Sequence, residues 1–192
     1  MWRSSALLLA VVAISGGRLA QGGPISYSVQ ASATGTLGLN SFTNALVTVT
    51  LTGDTGGVSG VLGGKSNHGT TTVTIAGLGT AIFTDTTRAY TDNLGPGGSA
   101  RGGIADDSIG SSILTMVNPI FSTYDFVTPI GPVTSTAALG NDLTYNTDHG
   151  SFHMTSAAST GTFTATVPEP SSITLIGIGM ALVAGYNRLR RR

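Results

Sequence analysis

The protein has 192 residues, enough for one ordinary domain with short appendages, and no cysteine, which excludes disulfides, thiolate metal sites and cysteine nucleophiles. Charged residues make up only 9% of the chain, and the net charge of +0 conceals a segregation: residues 24–166 hold eight Asp against Lys65, Arg88 and Arg101, a net charge of −5. We expect no nucleic-acid partner for such a body, because binding phosphates requires clustered Lys and Arg.

The start of the chain is typical of a secretory signal peptide. Arg3 supplies a positive charge, and residues 6–14 form an uncharged apolar run that small residues follow. The run is too short for a hydrocarbon core of about 30 Å, so a permanent anchor is the weaker interpretation. We predict a signal helix within residues 1–20, handled by the Sec translocon and signal peptidase and cleaved after Ala20 or after Gly17.

Residues 24–166 alternate between apolar and polar side chains. The clearest example is residues 47–52, where Val47, Val49 and Leu51 share one face and threonines occupy the other. The same alternation recurs at residues 27–31, 72–75 and 162–167. This period predicts half-buried strands, and β-branched threonine favours extended structure while presenting a hydroxyl to water.

Glycine-rich turn clusters at residues 53–57, 93–98 and 139–142 separate these runs. Only residues 108–117 fit a helix as well as a strand, and the prolines within residues 119–132 indicate an irregular loop or an edge strand. We predict an all-β body, an antiparallel β-sandwich of jelly-roll or immunoglobulin-like topology. Low-complexity disorder is the alternative, and the aromatic residues within the alternating runs argue against it.

One group of residues resembles a metal site. His149 and His153 lie four residues apart, with Asp148 and Asp142 nearby, so a strand would place both imidazoles on one face. The plainer interpretation, which we favour, is a turn at residues 148–150 that opens a strand with its polar side chains facing out. We therefore predict no metal site and no cofactor.

Catalytic and calcium-binding signals are weak. No Gly-x-Ser-x-Gly elbow, His-Glu-x-x-His motif, P-loop or dinucleotide fingerprint occurs in the sequence. The remaining candidates for oxygen ligands of calcium form no Asp-x-Asp-x-Asp-Gly loop; they are Asp54, Asp85, Asp92, Asp106 and Asp107. We expect no catalytic residues and no enzymatic activity.

Residues 167–192 form a tail of three parts. Pro168 and Pro170 flank Glu169, the only glutamate, and hold the chain extended. Residues 173–186 are an uncharged apolar run, which predicts a short membrane helix of about 21 Å. Residues 188–192 are a basic end that the positive-inside rule keeps in the cytoplasm; its cations are Arg188, Arg190, Arg191 and Arg192.

The order, spacing and terminal position of these three parts resemble the PEP-CTERM sorting domain. The resemblance implies that an exosortase, a membrane-embedded transpeptidase similar to cysteine proteases, recognises Pro168, Glu169 and Pro170 and cuts near them. It further implies a Gram-negative lineage that makes exopolysaccharide. A plain membrane anchor is the alternative, but it would not require a Pro-Glu-Pro motif. The resemblance leaves the function of residues 24–166 open.

We expect an exported protein that passes through an intermediate tethered to the inner membrane and then reaches the cell surface or the extracellular space. The leading hypothesis is a structural or interaction protein of an exopolysaccharide matrix. The alternative is a secreted carbohydrate-binding module, with or without a requirement for calcium, in which exposed Tyr90 or Tyr124 stacks on sugars. A secreted polysaccharide hydrolase is the third hypothesis.

Overall fold

The computed structural model describes residues 22–61, 63–140 and 143–168. The predicted signal helix in residues 1–20 and the predicted membrane helix in residues 173–186 lie outside these residues. No helix within the described residues combines the length and the apolar character needed to cross a membrane.

The described chain is built mainly of antiparallel strands. They are β1 (Pro24–Leu37), β2 (Asn40–Asp54), β3 (Ser59–Val61), β4 (Gly64–Ile75), β5 (Gly79–Ile82), β6 (Thr87–Asp92), β7 (Arg101–Asp106), β8 (Ser111–Val117), β9 (Ile130–Leu139), β10 (Thr144–Thr147) and β11 (Gly150–Thr166). Short 3-10 turns occur at Thr55–Gly57, Pro96–Gly98 and Pro119–Ser122.

Eight of the strands close into one barrel. Their order around the ring is β1-β2-β4-β6-β7-β8-β9-β11, and β11 pairs with β1 to complete it. The closing pair extends from Ser26 opposite Thr166 to Leu37 opposite Phe152. Each strand of the ring therefore has a neighbour on both sides, which removes the open edges of a flat sheet.

The predicted all-β, antiparallel class is confirmed, but the predicted sandwich is wrong. Alternation identifies the buried face of each strand, and that pattern is the same whether the strands form two sheets or one closed sheet. Closure depends instead on the meeting of the first and last strands. Gly35 of β1 permits a close approach here, since a Cβ at this position would lie 2.0 Å from the carbonyl oxygen of His153 on β11.

Two ambiguous segments of the sequence are now assigned. β8 occupies residues that fitted either a helix or a strand. Residues 118–129, which we call the plug segment, form a loop with one 3-10 turn, and β9 begins at Ile130. Of the region predicted as an irregular loop or an edge strand, residues 119–129 are confirmed as a loop. Pro132 lies in β9, which pairs with both β8 and β11 and is therefore not an edge strand.

The two ends of the barrel differ in what they carry. β1 begins and β11 ends at the same end, and we call this the tail end. The turn between β1 and β2, at residues 38–39, lies at the opposite end, which we call the far end. Both appendages of the chain, the predicted signal peptide and the sorting tail, therefore leave the barrel from its tail end.

Aromatic side chains close the tail end. The plug segment contributes Phe121, Tyr124 and Phe126, which are all buried. Phe126 stacks on Tyr27 of β1 with ring centroids 4.7 Å apart, and Phe121 meets Phe163 of β11 edge-on at 5.1 Å. The plug segment thus packs against the two strands that close the ring.

A second aromatic cluster fills the far end. β5 pairs with β4, β10 pairs with β11, and a bridge between Phe83 and Thr147 joins these two short strands. Phe152 lies at the centre of the cluster, with ring centroids 5.9 Å from Phe83, 6.4 Å from Phe42 and 6.3 Å from Tyr145. Aromatic side chains therefore fill the interior of the barrel at both of its ends.

A buried polar network fixes the plug segment to the barrel. The Tyr27 hydroxyl donates to the carbonyl oxygen of Phe126 at 2.6 Å. The Asn67 side-chain amide on β4 donates to the Tyr27 hydroxyl and to the carbonyl oxygen of Asp54, each at 3.0 Å. Burial raises the pKa of Tyr27 to about 12, because the charged phenolate would lose its hydration.

Replacing Tyr27 with Phe should lower the free energy of unfolding by about 2 kcal/mol, because the Phe126 carbonyl loses its buried donor and Asn67 loses an acceptor. Tyr124→Phe is the matched control. Its hydroxyl makes one partly buried bond, to the carbonyl oxygen of Thr128, so the loss should be under about 1 kcal/mol. Guanidinium unfolding of the full chain in detergent, followed by circular dichroism, measures both values; equal losses would contradict the special role of Tyr27.

Stability should also fall in alkaline solution. The pKa of Tyr27 is about 12 in the folded state and 10.0 when exposed, so the folded chain holds this proton more tightly. Its contribution is complete below about pH 10 and is lost as the pH rises toward 12. The pKa values of Tyr124 and Tyr145 are also raised by burial and act in the same direction. Unfolding curves across this range test the prediction, and a free energy that stays constant throughout would contradict it.

Candidate functional site

The outer surface of one side of the barrel is covered with neutral polar side chains. The strands β11, β1, β2, β4 and β5 are neighbours here, and their register aligns the outward-facing residues in rows. We call this surface the hydroxyl face. Its three rows are Thr162, Gln30, Thr48, Thr74 and Thr80; then Thr164, Ser28, Thr50 and Thr72; and finally Thr166, Ser26, Thr52 and Thr70. The second row ends against Ile82 of β5, an exposed apolar residue that borders the face.

Hydrogen bonds between strands hold part of this face in place. The Gln30 amide donates to the Thr48 hydroxyl at 2.8 Å, and the hydroxyls of Thr74 and Thr80 lie 2.8 Å apart. Neighbouring rows are about 7 Å apart along a strand, and neighbouring strands about 4.8 Å apart. Threonine has few side-chain rotamers, so the face presents hydroxyls at regular positions with little entropy left to lose on binding.

The hydroxyl face contains no ionisable side chain. Its chemistry is therefore that of neutral donors and acceptors, suited to ordered water or to a polyhydroxylated ligand. Sequence reasoning predicted that threonines face outward on single strands. It did not find the face itself, because the rows exist only once the register of the neighbouring strands is known.

The candidate metal ligands do not come together on one strand. β11 begins at Gly150, so His149 lies in the preceding turn and His153 within the strand. The Asp148 carboxylate accepts a hydrogen bond from the Ile82 amide at 2.7 Å and lies 3.4 Å from His149 Nδ1. The turn-and-strand interpretation is confirmed, and Asp142 lies outside the described residues. Within the part of the chain that the structure describes, no three His, Asp or Glu side chains are grouped closely enough to hold a metal ion.

The aspartates that the sequence offered as calcium ligands are dispersed. Asp54 caps a turn by accepting from the Gly56 amide, and Asp92 pairs with Arg101 at 2.6 Å. Asp85 accepts from the Asn146 side chain. These three carboxylates each have a local structural partner and point to different parts of the barrel.

Asp106 and Asp107 are adjacent but face opposite ways. Asp106 is fully buried, and one of its oxygens accepts both the amide and the hydroxyl of Ser108, while its other oxygen has no protein partner. Asp107 points outward, where it pairs with Arg88 and lies 3.1 Å from Nδ1 of His68. Sequence reasoning did not foresee this outer ion cluster, because its members come from three different strands or turns.

The two tyrosines expected to stack on sugars are both buried. Tyr90 is 5% exposed, and its hydroxyl lies 2.6 Å from Ser112 Oγ and 2.8 Å from Thr115 Oγ1. Tyr124 is 7% exposed, and its hydroxyl donates to the carbonyl oxygen of Thr128. The prediction that these rings are exposed for stacking is wrong, because both serve the packing of the barrel.

The sorting motif lies where the described chain ends. Pro168 is exposed, two residues after the last strand. Glu169 and Pro170 lie outside the described residues, and so do the arginines at positions 188, 190, 191 and 192.

Comparison with known proteins identifies the tail. No curated protein and no solved structure matches the chain. Residues 166–192 match the family model described as the PEP-CTERM protein-sorting motif. The match begins at the last residue of β11, so it covers the tail and leaves the barrel unassigned. The chain therefore carries a PEP-CTERM sorting motif at its C-terminal end, with exosortase as the processing enzyme that this motif implies.

Proposed function

We propose that this chain is an exported, non-catalytic interaction protein of the cell surface or extracellular matrix, and that its hydroxyl face binds neutral exopolysaccharide. The observation that carries the proposal is the hydroxyl face itself, a regular array of neutral hydroxyls without an ionisable side chain. The sorting motif supplies the destination, since it directs a protein out of the cell.

The chemistry of the face favours an uncharged polymer. Neutral hydroxyls of the protein can form hydrogen bonds with sugar hydroxyls directly or through bridging water. The desolvation free energy is small because both surfaces remain partly hydrated in the complex. A polyanion would require fixed cations, and the body carries a net charge of −5. Binding per sugar is then weak, and a useful affinity arises from many contacts along one chain.

The positions of the carboxylates support a non-catalytic role. A glycosidase needs two carboxyl groups that face each other across the bond to be cut. The described aspartates are instead engaged by turns, amides and cations of the barrel, as Asp148, Asp107 and Asp92 illustrate.

Sugar binding by stacking on Tyr90 or Tyr124 is not supported, because both rings are buried. The remaining route to carbohydrate is the hydroxyl face. Processing by signal peptidase after Sec export, and a transient inner-membrane intermediate, complete the proposal; both follow from the apolar runs at residues 6–14 and 173–186.

The sorting step can be tested in the producing organism. Glu169→Ala should leave the full-length form in the inner membrane, because the enzyme loses the only carboxylate of its recognition motif. Ser171→Ala, in the same tail, is the control and should be processed normally. Membrane fractionation with immunoblotting follows both forms, and normal release of the Glu169 variant would refute exosortase-dependent sorting.

The binding step has its own test. Thr50→Lys combined with Thr72→Lys places two cations at the centre of the hydroxyl face and should abolish co-sedimentation with exopolysaccharide isolated from the producing organism. Thr43→Lys combined with Thr84→Lys adds the same charge at exposed threonines outside the face and should leave binding unchanged. Equal binding by the two double variants would show that this surface is not the binding site.

A further inference from the structure

The tail end of the barrel is the end that can reach a membrane. β11 ends at Thr166, and the apolar run begins seven residues later at Ile173. Seven extended residues span at most about 25 Å. The far end lies a whole strand away, since the 17 residues of β11 extend over roughly 50 Å. When the apolar run enters a bilayer, the tail end is therefore held near the lipid surface.

Three large apolar side chains project from the loops at this end. Leu94 follows β6 and is 60% exposed, Ile120 lies in the 3-10 turn after β8 and is 42% exposed, and Val127 lies in the plug segment and is 40% exposed. Ile120 and Val127 both belong to the plug segment, whose aromatic residues Phe121 and Phe126 are buried instead. Leu39 and Ile109, toward the far end, are also exposed, so these three side chains are distinguished by their place at the end that bears the tail, where a lipid surface can cover them.

The charges at the tail end do not oppose contact with lipid. The Asp54 carboxylate accepts from the Gly56 amide at 2.7 Å, and the Asp125 carboxylate accepts from the amides of Val127 and Thr128 at 3.0 Å. Asp92 is paired with Arg101. These hydrogen bonds and the Arg101 ion pair replace part of the hydration that the carboxylates would lose beside a headgroup layer, which lowers the cost of bringing them there.

We propose that the tail end is a membrane seat, in which Leu94, Ile120 and Val127 dip into the surface of the lipid bilayer while the sorting tail is inserted. This inference rests on the proposed sorting of the chain through its tail. The occupant is a lipid surface, because the sequence places a membrane-entering segment within about 25 Å of this end. The barrel then stands upright, and the hydroxyl face is presented parallel to the membrane normal.

The absence of cysteine makes a site-by-site test direct. Single-cysteine variants of the full chain at Leu94, Ile120 and Val127 are labelled with an environment-sensitive fluorophore and reconstituted into phosphatidylcholine vesicles that contain a lipid-bound quencher. Leu39→Cys and Ile109→Cys are the matched controls, since these exposed apolar residues lie in turns at the far end. Circular dichroism confirms that every labelled variant is folded.

If the tail end enters the lipid surface, fluorophores at the three tail-end positions should show emission shifted to the blue and lose most of their fluorescence to the lipid-bound quencher. Fluorophores at Leu39 and Ile109 should show neither effect. Because the contact is apolar, high salt should not reverse the quenching. Vesicle flotation of the same samples reports insertion of the tail independently. Flotation without quenching at Leu94 would overturn the membrane seat and leave the sorting proposal intact, whereas a chain that fails to float would overturn both.

Discussion

The pairing of β1 with β11 is the constraint on which the rest of the structure depends. It turns a row of antiparallel strands into a ring, and it brings Ser26 opposite Thr166, so both appendages of the chain leave from one end. The plug segment packs on the same two strands through Tyr27 and Phe163. The closed ring also places β11, β1, β2 and β4 side by side, and their outer residues become the hydroxyl face.

Much of the local structure could be predicted from the sequence, whereas the relations between strands could not. The alternation of Val47, Val49 and Leu51 with threonines predicted a half-buried strand, and these three side chains are fully buried. The same alternation fits a sandwich and a barrel, so the predicted sandwich failed at the meeting of β1 and β11. Closure depends on register and on close approach, as at Gly35, and neither has a local signature.

The candidate sites show the same difference between local features, which the sequence predicted, and contacts between distant residues, which it did not. The turn before β11 was foreseen from its Asp-His-Gly residues, since turn chemistry is local. Burial of Tyr90 and Tyr124 was not foreseen, because each hydroxyl finds its partners only in the folded barrel. The sorting tail was recognised in full from sequence, since its three parts are contiguous and need no tertiary contact to be read.

The closed ring of strands depends on backbone hydrogen bonds on both sides of β1, and amide hydrogen exchange along this strand tests it most directly. Successive amides of a strand point alternately to its two neighbours, so a strand paired on both sides has every amide protected. Exchange measured by NMR should show protection at each residue from Ser26 to Ala31, which pair with both β2 and β11. Fast exchange at every second residue would show that β1 is an open edge and would contradict the barrel.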